Sequence, residues 1–382
     1  MKIVQFGYSF LPITGGEEHW VNEFSRFLES SGYDTVFIQR GFRSEFPDGR
    51  QKKVSGRIIA VPVSFLAPKS VNGPVWDRQP LYNFLGFWRL WKTVKRGDVI
   101  VVVYPQLYFP SVWLVSKLKG VKVICASVGI TWDGSNKSLK EKLLYAMVKF
   151  LEKRALRGAD KCVGIDMRYL NEMQRFDARA AAKVVVVCNF VRTDFYSPVK
   201  GRRERLVLCP RNLRYARGVD LAIRGMRIVN DRFKDVKLLI LGDGPIKAEL
   251  EQLIQELGVN AEIRPFVGKE ELRALYRRAA IVVVPSRYSE GSSFAAIEAM
   301  SCGTPIVVTD VGGLPDVVVD GYNGFMVRAV ADEVGSAMLK ILNDDGLASS
   351  MSVNGRKLAL EKFSYDRFCQ GWKAVLDEVV QK

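Results

Sequence analysis

Residues 281–305 read IVVVPSRYSEGSSFAAIEAMSCGTP, a stretch in which three kinds of segment follow one another. The apolar run from Ile281 to Val284 leads into a turn rich in glycine and serine that carries Glu290, and an alanine-rich segment with Glu298 follows. An apolar run bounded by turn residues predicts a buried strand, and the alanine-rich segment, which ends near Gly303, predicts a short helix. The stretch therefore predicts a βα unit of a parallel sheet.

The loop of such a unit lies at the carboxyl end of its strand, which is where open parallel sheets bind their ligands. The N-terminus of the following helix presents unpaired N–H groups and the positive end of the helix dipole. We therefore expect an anion to bind at the backbone amides near Ser292, Ser293 and Phe294.

The remainder of the chain repeats this alternation of strand and helix. In the first half, strands are predicted at Lys2–Tyr8, Thr35–Gln39, Arg57–Val63, Val99–Tyr104, Val121–Ala126, Lys161–Ile165 and Val184–Cys188. In the second half, strands are predicted at Leu206–Cys209, Val236–Leu241 and Ala261–Pro265, with helices at Val219–Val229, Ile246–Leu257 and Glu270–Ala279. Strands separated by helical stretches predict parallel, doubly wound sheets of the α/β class.

The length of 382 residues and the hydrophobic content of 48% predict two domains with cores of ordinary size. A segment rich in proline, glycine and charge, Tyr196 to Arg205, marks the linker between them. We place the first domain at residues 1–198, the second at 199–362, and a C-terminal helix that crosses back to the first domain at 363–382. The two domains are expected to face each other across a cleft.

Four loops of the second half follow predicted strands, and we expect them to share one edge of the sheet. They are Pro210–Gly218, Gly242–Pro245, Pro265–Gly268 and the loop that carries Glu290. The first loop brings Arg211, Arg214 and Arg217 beside a helix start, which suits a diphosphate that needs charged donors, although a scattered surface cluster is the alternative. Glu290 and Glu298 are a pair of carboxylates, but nothing in the sequence places both on one glycosidic bond.

A second glycine-rich turn, with Gly15 and Gly16, precedes an amphipathic segment from Glu17 to Ser31. Glycines in such a turn serve a tight bend about as often as a close approach to a phosphate. His19 lies at the start of the predicted helix, where it either contacts a ligand or hydrogen-bonds to the loop.

Composition narrows the classes of function. The net charge of +16 predicts an anionic partner, either a nucleic acid, an anionic membrane or a phosphorylated small molecule. His19 is the only histidine, so a multi-histidine metal site is excluded. The apolar start from Ile3 to Phe6 is too short for a signal peptide, and no run is long enough to span a membrane. Six singly placed cysteines without a CxxC pair fit the reduced thiols of a cytoplasmic protein.

Two segments of the first half are candidates for a membrane or acceptor surface. Residues Trp76 to Lys95 are unusually aromatic, and Ser138 to Arg157 form a basic amphipathic segment. Core packing is the alternative for the first segment, and a solvated helix face is the alternative for the second. If the protein meets an anionic membrane, we expect peripheral contact from the inner, cytoplasmic side.

The sequence EGSSFAAIEAMSCGTPIVVTDVGGLPD, residues 290–316, resembles the E-x7-E signature of the retaining GT-B glycosyltransferases, and specifically the GT4 family. Further stretches agree with that family in order and approximate spacing: TGGEEHW, LEKRALRGADKCVGID, PRNLRYARGVD, and LGDGP followed by PFVG. The resemblance covers most of the chain and is strongest from Leu206 to Gly324. It implies the GT-B fold, with two Rossmann-like domains.

The same resemblance implies transfer of a sugar from a nucleotide-diphosphate sugar to a glycan or lipid-linked glycan, without a metal or another cofactor. It implies that Arg211 and Arg217 neutralise the diphosphate and that Glu290 binds hydroxyls of the donor sugar, while Glu298 binds the ribose. The other donor-binding positions that it implies are Gly15, Gly16, Ser292, Ser293, Phe294, Gly242 and Val267. His19 is assigned an auxiliary role on the acceptor side.

Several positions depart from the family pattern. Arg217 replaces the usual lysine, Ser293 replaces a frequent glycine, and Ser127 to Asp133 lack the histidine that the family often has there. The usual run of asparagine, glycine, valine and aspartate appears as Asn189 to Arg192. These changes affect the expected acceptor recognition more than the expected donor binding.

Two other interpretations remain open at this point. A non-hydrolysing sugar-nucleotide epimerase has the same two-domain architecture but needs no acceptor. A basic nucleic-acid-binding protein would show aromatic and basic side chains across one face and a steep salt dependence. We expect no nucleic acid, because Glu290, Glu298 and the GDGP loop would then have no purpose.

Overall fold

The computed structural model describes residues 1–7, 16–41, 57–62, 79–103, 105–127, 139–199, 201, 203–288 and 290–381. Internal contacts divide the chain into two compact units. The first unit comprises Met1–Ile165, Tyr169–Val187 and Gly371–Lys382, and the second comprises Asp166–Arg168 and Cys188–Gln370. The domain limits expected at residues 198 and 362 stay predictions.

A seven-stranded sheet forms the centre of the first unit, and all its strand pairs are parallel. Its strands are β1 (Lys2–Phe6), β2 (Asp34–Gly41), β3 (Arg57–Pro62), β4 (Val99–Val103), β5 (Lys122–Ser127), β6 (Lys161–Gly164) and β7 (Val184–Val186). They lie in the order β3-β2-β1-β4-β5-β6-β7. The helices of this part of the chain are α1 (Gly16–Ser30), α2 (Gln79–Thr93), α3 (Pro105–Lys119), α4 (Leu139–Gly158), α5 (Met167–Phe176) and α6 (Ala178–Ala181).

The second unit is built on a six-stranded parallel sheet. Its strands are β8 (Glu204–Pro210), β9 (Lys237–Leu241), β10 (Ala261–Arg264), β11 (Ala279–Val284), β12 (Ile306–Thr309) and β13 (Gly324–Val327). Its helices are α7 (Val219–Arg232), α8 (Lys247–Leu257), α9 (Lys269–Arg278), α10 (Phe294–Ser301), α11 (Ala331–Asn343) and α12 (Asp345–Lys362). The prediction of parallel, doubly wound sheets is confirmed in both units.

The strand order of the second sheet, β10-β9-β8-β11-β12-β13, decides where its site lies. The chain builds outward from β8 in one direction and then resumes at β11 on the other side of β8. The loops that leave two such neighbouring strands run to opposite faces of the sheet, and a crevice opens between them. In this unit the crevice lies between the loop after β8 and the loop after β11.

The last helix, α13 (Tyr365–Gln381), begins in the second unit and ends in the first. Trp372 on this helix is fully buried, with its ring centroid 4.4 Å from that of Phe24 and 5.7 Å from that of Trp20. The carboxylate of Glu378 forms an ion pair with Lys161, with 2.7 Å between Oε2 and Nζ. The expected return of the C-terminal helix to the first domain is confirmed.

Arg203, just before β8, forms hydrogen bonds with several chain segments of the second unit. Its guanidinium donates to five carbonyl oxygens and one hydroxyl at 2.7 to 3.2 Å, those of Tyr276, Arg277, Ala279, Cys302, Gly303 and Thr304. These acceptors lie at or just beyond the C-terminal ends of α9 and α10, where carbonyl groups lack helical partners. A positive charge there also complements the helix dipoles.

Replacing Arg203 with methionine is expected to lower the free energy of unfolding by about 3 kcal/mol, because several buried carbonyl groups lose their donor. Arg205, two residues along, offers a matched control, since its ion pair with Asp235 joins side chains that are 49% and 64% exposed. The Arg205→Met variant should lose less than about 1 kcal/mol. Urea unfolding of both variants measures the difference. Equal losses of unfolding free energy would show that the Arg203 hydrogen bonds stabilise the fold no more than the exposed Arg205 ion pair does.

Candidate functional site

The two loops at the crevice of the second sheet meet through their side chains. The loop after β8 contains Arg211 and a short 3-10 helix, Tyr215–Arg217, and the loop after β11 contains Ser286 and Glu290. Arg211 donates from Nη2 to Glu290 Oε2 and from Nη1 to Glu290 Oε1, the latter at 3.5 Å. Arg217 donates from Nη1 to the same Glu290 Oε2.

A serine completes this group of charges. Ser286 Oγ accepts from Arg211 Nη2 at 2.7 Å and donates to Glu290 Oε2 at 2.7 Å. Arg211 and Glu290 are each only 7% exposed, and Ser286 is fully buried. The side chain of Arg217 is 30% exposed and therefore reaches solvent.

The electrostatics of Glu290 follow from these contacts. Burial raises the pKa of the carboxyl, but the charges of Arg211 and Arg217, with the hydrogen bonds from Arg211 and Ser286, hold the pKa below its usual value. Glu290 is therefore ionised at neutral pH. Two guanidinium groups and one carboxylate leave a net positive charge in a largely buried setting, which suits an anionic ligand.

The N-terminus of α10 adjoins this cluster. Ser293 is the N-cap residue, yet its side chain makes no capping hydrogen bond, and its Oγ accepts from Arg211 Nη1 at 3.3 Å instead. The first turn of α10 carries no acidic side chain. Asn189 holds the preceding residue, because its Nδ2 donates to the carbonyl oxygen of Ser292 at 2.7 Å. A helix N-terminus of this kind is a favourable place for a phosphate.

Glycines set the positions of the two loops through close backbone approaches. A Cβ at Gly312 would lie 1.9 Å from the carbonyl oxygen of Glu290, and a Cβ at Gly313 would lie 2.8 Å from the amide nitrogen of Ser292. The Gly313 amide donates to the Glu290 carbonyl at 2.9 Å. The chain after β12 therefore supports the backbone that carries Glu290.

Two further glycines approach the backbone around the loop after β8 more closely than a side chain would allow. A Cβ at Gly242 would lie 2.0 Å from the carbonyl oxygen of Arg211, and a Cβ at Gly218 would lie 1.9 Å from that of Pro285. Gly218 also adopts a φ of 63°, which favours glycine. The GDGP loop and Gly218 thus fix the backbone from which Arg211 and Arg217 extend.

The contacts of Glu298 are with residues other than the arginines that pair with Glu290. Its Oε2 accepts from the hydroxyl of Tyr276 at 3.0 Å. Burial raises the pKa of Glu298 to about 7, although hydrogen bonds from Tyr276 and Tyr196 and the charge of Lys269 lower it. The two glutamates of the quoted stretch are therefore in different environments, with Glu290 ionised and Glu298 near its midpoint at neutral pH.

The family models agree with this architecture. Residues 15–212 match the family Glycosyl transferase 4-like domain, which is more than half of the chain, and residues 192–358 match Glycosyl transferases group 1. The chain belongs to the GT4-like glycosyltransferases.

Solved structures and a curated relative extend the comparison of this GT4-like chain. It superposes on sucrose-phosphate synthase from Thermosynechococcus elongatus with a TM-score of 0.82 at 19% identity, over 100% of both chains. It superposes on Anabaena HepE in complex with UDP-glucose with a TM-score of 0.74 at 16% identity, over 99% of this chain and 100% of that one. An uncharacterized glycosyltransferase of Methanocaldococcus jannaschii is 34% identical over 170 residues, 44% of this chain and 43% of the relative. The chain spans about half the length of the first curated relatives that it matches.

The remaining predicted site residues of the GT4-like chain lie at several places. Val267 is half-buried in the loop after β10. Gly16 is the exposed first residue of α1, and His19 is partly buried on the same helix, both in the first unit. Gly15 lies outside the described residues, as does most of the Ser127 to Asp133 segment. The roles assigned to these residues stay predictions.

Sequence reasoning missed several residues that build the site. Ser286 was available as the second residue after the apolar run, and Gly312 and Gly313 lie within the stretch that carries the family resemblance. Asn189 was noted only as part of a departure from the family pattern. Within the described part of the chain, His, Cys, Asp and Glu side chains form no group of three that could hold a metal ion.

Gly312→Ala is expected to reshape the Glu290 loop, because the new Cβ meets the Glu290 carbonyl. Gly258 is the matched control, since its φ of 60° is nearly that of Gly312, at 63°, but no atom lies within 4 Å of a Cβ there. Gly258→Ala should cost about 1 kcal/mol for its left-handed backbone. Gly312→Ala should cost a further 1 to 3 kcal/mol or so from overpacking. Thermal unfolding distinguishes the two, and equal costs would contradict the close approach.

Proposed function

We propose that this protein is a retaining glycosyltransferase that moves a hexose from a nucleotide-diphosphate sugar to a hydroxyl of a glycan or a lipid-linked glycan. The observation that carries the proposal is the pairing of Arg211 and Arg217 with Glu290 beside the N-terminus of α10. Membership of the GT4-like family supports the reaction class. The complex of the structurally similar Anabaena HepE with UDP-glucose supports a nucleotide-sugar donor.

The donor diphosphate would compete with Glu290 for the two arginines. A diphosphate offers several anionic oxygens, and bidentate contacts to guanidinium groups are among the stronger hydrogen bonds in proteins. When the diphosphate takes these contacts, the Glu290 carboxylate is released and can accept hydrogen bonds from hydroxyls of the donor sugar. The same side chain would therefore balance one of the two guanidinium charges before the donor binds and orient the sugar afterwards.

Bond cleavage places negative charge where the cluster can stabilise it. As the bond between the sugar carbon and the phosphate oxygen breaks, the nucleoside diphosphate leaves with the electron pair. The acceptor oxygen then bonds to the same face of the sugar, and its proton passes to the leaving phosphate. Guanidinium groups and helix amides stabilise the developing charge in a water-poor setting without requiring a metal ion. We therefore propose a reaction without a metal or another cofactor.

A binding and transfer experiment tests this proposal. A thermal-shift screen with UDP, GDP, ADP and their sugars should show that at least one nucleotide raises the unfolding temperature, since a ligand bound to the folded state stabilises it. Incubating that donor with glycan acceptors should yield a transferred sugar with the anomeric configuration of the donor. A folded protein that binds no nucleotide sugar would overturn the proposal. Conversion of the donor without an acceptor would indicate an epimerase.

Arg217→Met is expected to weaken nucleoside-diphosphate binding by about tenfold to a hundredfold, because a charged hydrogen bond contributes about 1.5 to 3 kcal/mol. Arg214, in the same loop, is exposed and serves as the control. Arg214→Met removes an equal charge and should change the affinity by less than about threefold. Isothermal titration with the nucleoside diphosphate measures both variants. Similar losses in the two variants would mean that charge alone, rather than the Arg217 geometry, attracts the ligand.

The affinity for a nucleotide-diphosphate sugar, whose diphosphate has no group that titrates near neutral pH, is expected to rise with pH through about 7. Glu298, whose pKa is about 7, accepts ribose hydroxyl donors best when it is ionised. From pH 6 to pH 8 the ionised fraction of a group with that pKa rises about tenfold, so the affinity should rise by a similar factor. In Glu298→Gln this pH dependence should disappear. A wild-type affinity that is flat over this range would count against a ribose contact by Glu298.

The pH dependence of the free energy of unfolding gives a second test of the raised Glu298 pKa, and it needs no ligand. The folded-state pKa of Glu298 lies above the usual 4.5, so the folded state binds the proton more tightly than the unfolded state does. The stability from this group is therefore fully present below pH 4.5 and is lost as the pH rises through about 7. Relative to wild type, Glu298→Gln should gain stability between pH 5 and pH 8.

A further inference from the structure

Three helices of the first unit, α2, α3 and α4, turn large apolar side chains toward solvent. Each helix contributes two that are between 43% and 63% exposed: Phe84, Trp88, Trp113, Leu118, Met147 and Phe150. An exposed side chain of this kind is ordinary when it stands alone. A set on neighbouring helices is a feature that marks an interaction surface.

These helices lie side by side over one face of the sheet. Alternate residues of the strands, such as Val4 and Ile100, share a single buried cluster with Leu90 of α2, Val115 of α3 and Leu156 of α4. Helix α3 packs against both α2 and α4. The inner faces of the three helices therefore bury that side of the sheet, and their outer faces form one surface.

Helix α3 shows most clearly that the outer surface is not ordinary. Val112 and Val115 on its inner face are 4% and 0% exposed, whereas Trp113, Leu114 and Leu118 on its outer face are exposed. The exposed positions follow the three- and four-residue spacing of one helix face. A helix that is apolar all round is usually buried on every side. Apart from Lys117, the outer face of α3 is thus apolar where a solvated helix would be polar.

The charge of the same three helices is strongly positive. Their sequences contain ten Lys and Arg residues against two Glu residues, a net charge of +8, which is half of the +16 carried by the whole chain. One of the two glutamates, Glu152, is buried. Lys92, Lys117 and Arg154 are exposed on the outer faces, among the apolar side chains. The surface is therefore both apolar and basic.

We propose that the outer face of α2, α3 and α4 docks on an anionic lipid bilayer. We call it the docking face, defined by the six apolar side chains above together with Lys92, Lys117 and Arg154. Aromatic and aliphatic side chains enter the boundary between headgroups and acyl chains, and the long Lys and Arg side chains reach the headgroup phosphates. Each basic residue near an anionic surface adds to the attraction.

The chemistry of the docking face favours a bilayer over the other occupants. A second copy would bring two strongly basic surfaces together, and like charges oppose that contact. A nucleic acid would match the charge and could stack on the tryptophans, but Leu118 and Met147 offer no stacking surface. Hydrocarbon accommodates aliphatic and aromatic side chains alike. In the described part of the chain no helix is long and apolar enough to cross a bilayer, so the contact is peripheral.

The docking face deepens the proposed function and rests on it in one respect. A lipid-linked acceptor stays at the bilayer, and an enzyme held there meets it by diffusion in two dimensions. The docking itself, however, can be measured without donor or acceptor. Failure of docking and failure of sugar transfer are therefore separate observations.

Vesicle flotation of the full chain tests the proposal. The protein should bind vesicles that contain phosphatidylglycerol, bind those of phosphatidylcholine alone far more weakly, and be released by salt. The double variant Lys117→Gln/Arg154→Gln should bind about twenty-five-fold more weakly, at roughly fivefold for each basic residue removed. Leu118→Gln/Phe150→Gln should lose about tenfold or more, because the apolar contact is lost.

Matched controls come from exposed residues of the second unit. Arg224→Gln/Arg227→Gln on α7 removes the same charge, and Val353→Gln/Leu360→Gln on α12 removes side chains that are 66% and 46% exposed. Both controls should bind within about twofold of wild type. Retained circular dichroism and nucleotide binding show that each variant is folded.

Three results would overturn the docking face. The first is a wild-type chain that does not float with phosphatidylglycerol vesicles. The second is surface variants that bind vesicles no more weakly than their controls. The third is surface variants that leave vesicle binding intact but lose binding to a single-stranded oligonucleotide or lose self-association. Transfer to a water-soluble acceptor should survive in every surface variant, so its loss would bear on the proposed function instead.

Discussion

The ion group of Arg211, Glu290 and Arg217 is the interaction on which the crevice of the second unit depends. Arg211 and Glu290 are almost fully buried, and removing one partner of such a pair leaves an uncompensated charge that costs about 3 to 5 kcal/mol. Both arginines pair with the one carboxylate of Glu290, so the group keeps one net positive charge. It therefore holds the two loops of the crevice together and keeps the crevice attractive to an anion.

The geometry of that ion group is set by backbone, because glycine allows segments to approach more closely than any side chain permits. Gly242 and Gly218 hold the arginine loop, while Gly312 and Gly313 hold the glutamate loop, each through an approach that a Cβ would block. Arg203 anchors the other end of α10, because its guanidinium contacts carbonyl groups at the C-terminal ends of α9 and α10. The charged site is thus positioned by close contacts between main chains as well as by the side chains of Ser286, Ser293 and Asn189.

The positively charged side chains of the two units are in different environments. In the second unit the arginines of the crevice are largely buried and paired, so their charge acts at short range on a bound ligand. In the first unit Lys92, Lys117 and Arg154 are exposed on the same helices as large exposed apolar side chains, so their charge acts on a large surface. The net charge of the chain alone did not distinguish these two settings.

Periodicity and turn residues were sufficient to predict the parallel α/β class, most strands and the return of the last helix, because these features follow from local order along the chain. The joint role of Arg211, Arg217 and Glu290 came from the family resemblance and stays a prediction. The sequence did not reveal the part played by Ser286, Asn189 and Gly312, because each of them contacts a residue far away in the chain. It also left open whether the aromatic helices were core or surface, since one face of a helix is distinguished from the other only by what packs against it. Tertiary structure decided both matters, because burial and close approach are properties of neighbours that linear order does not specify.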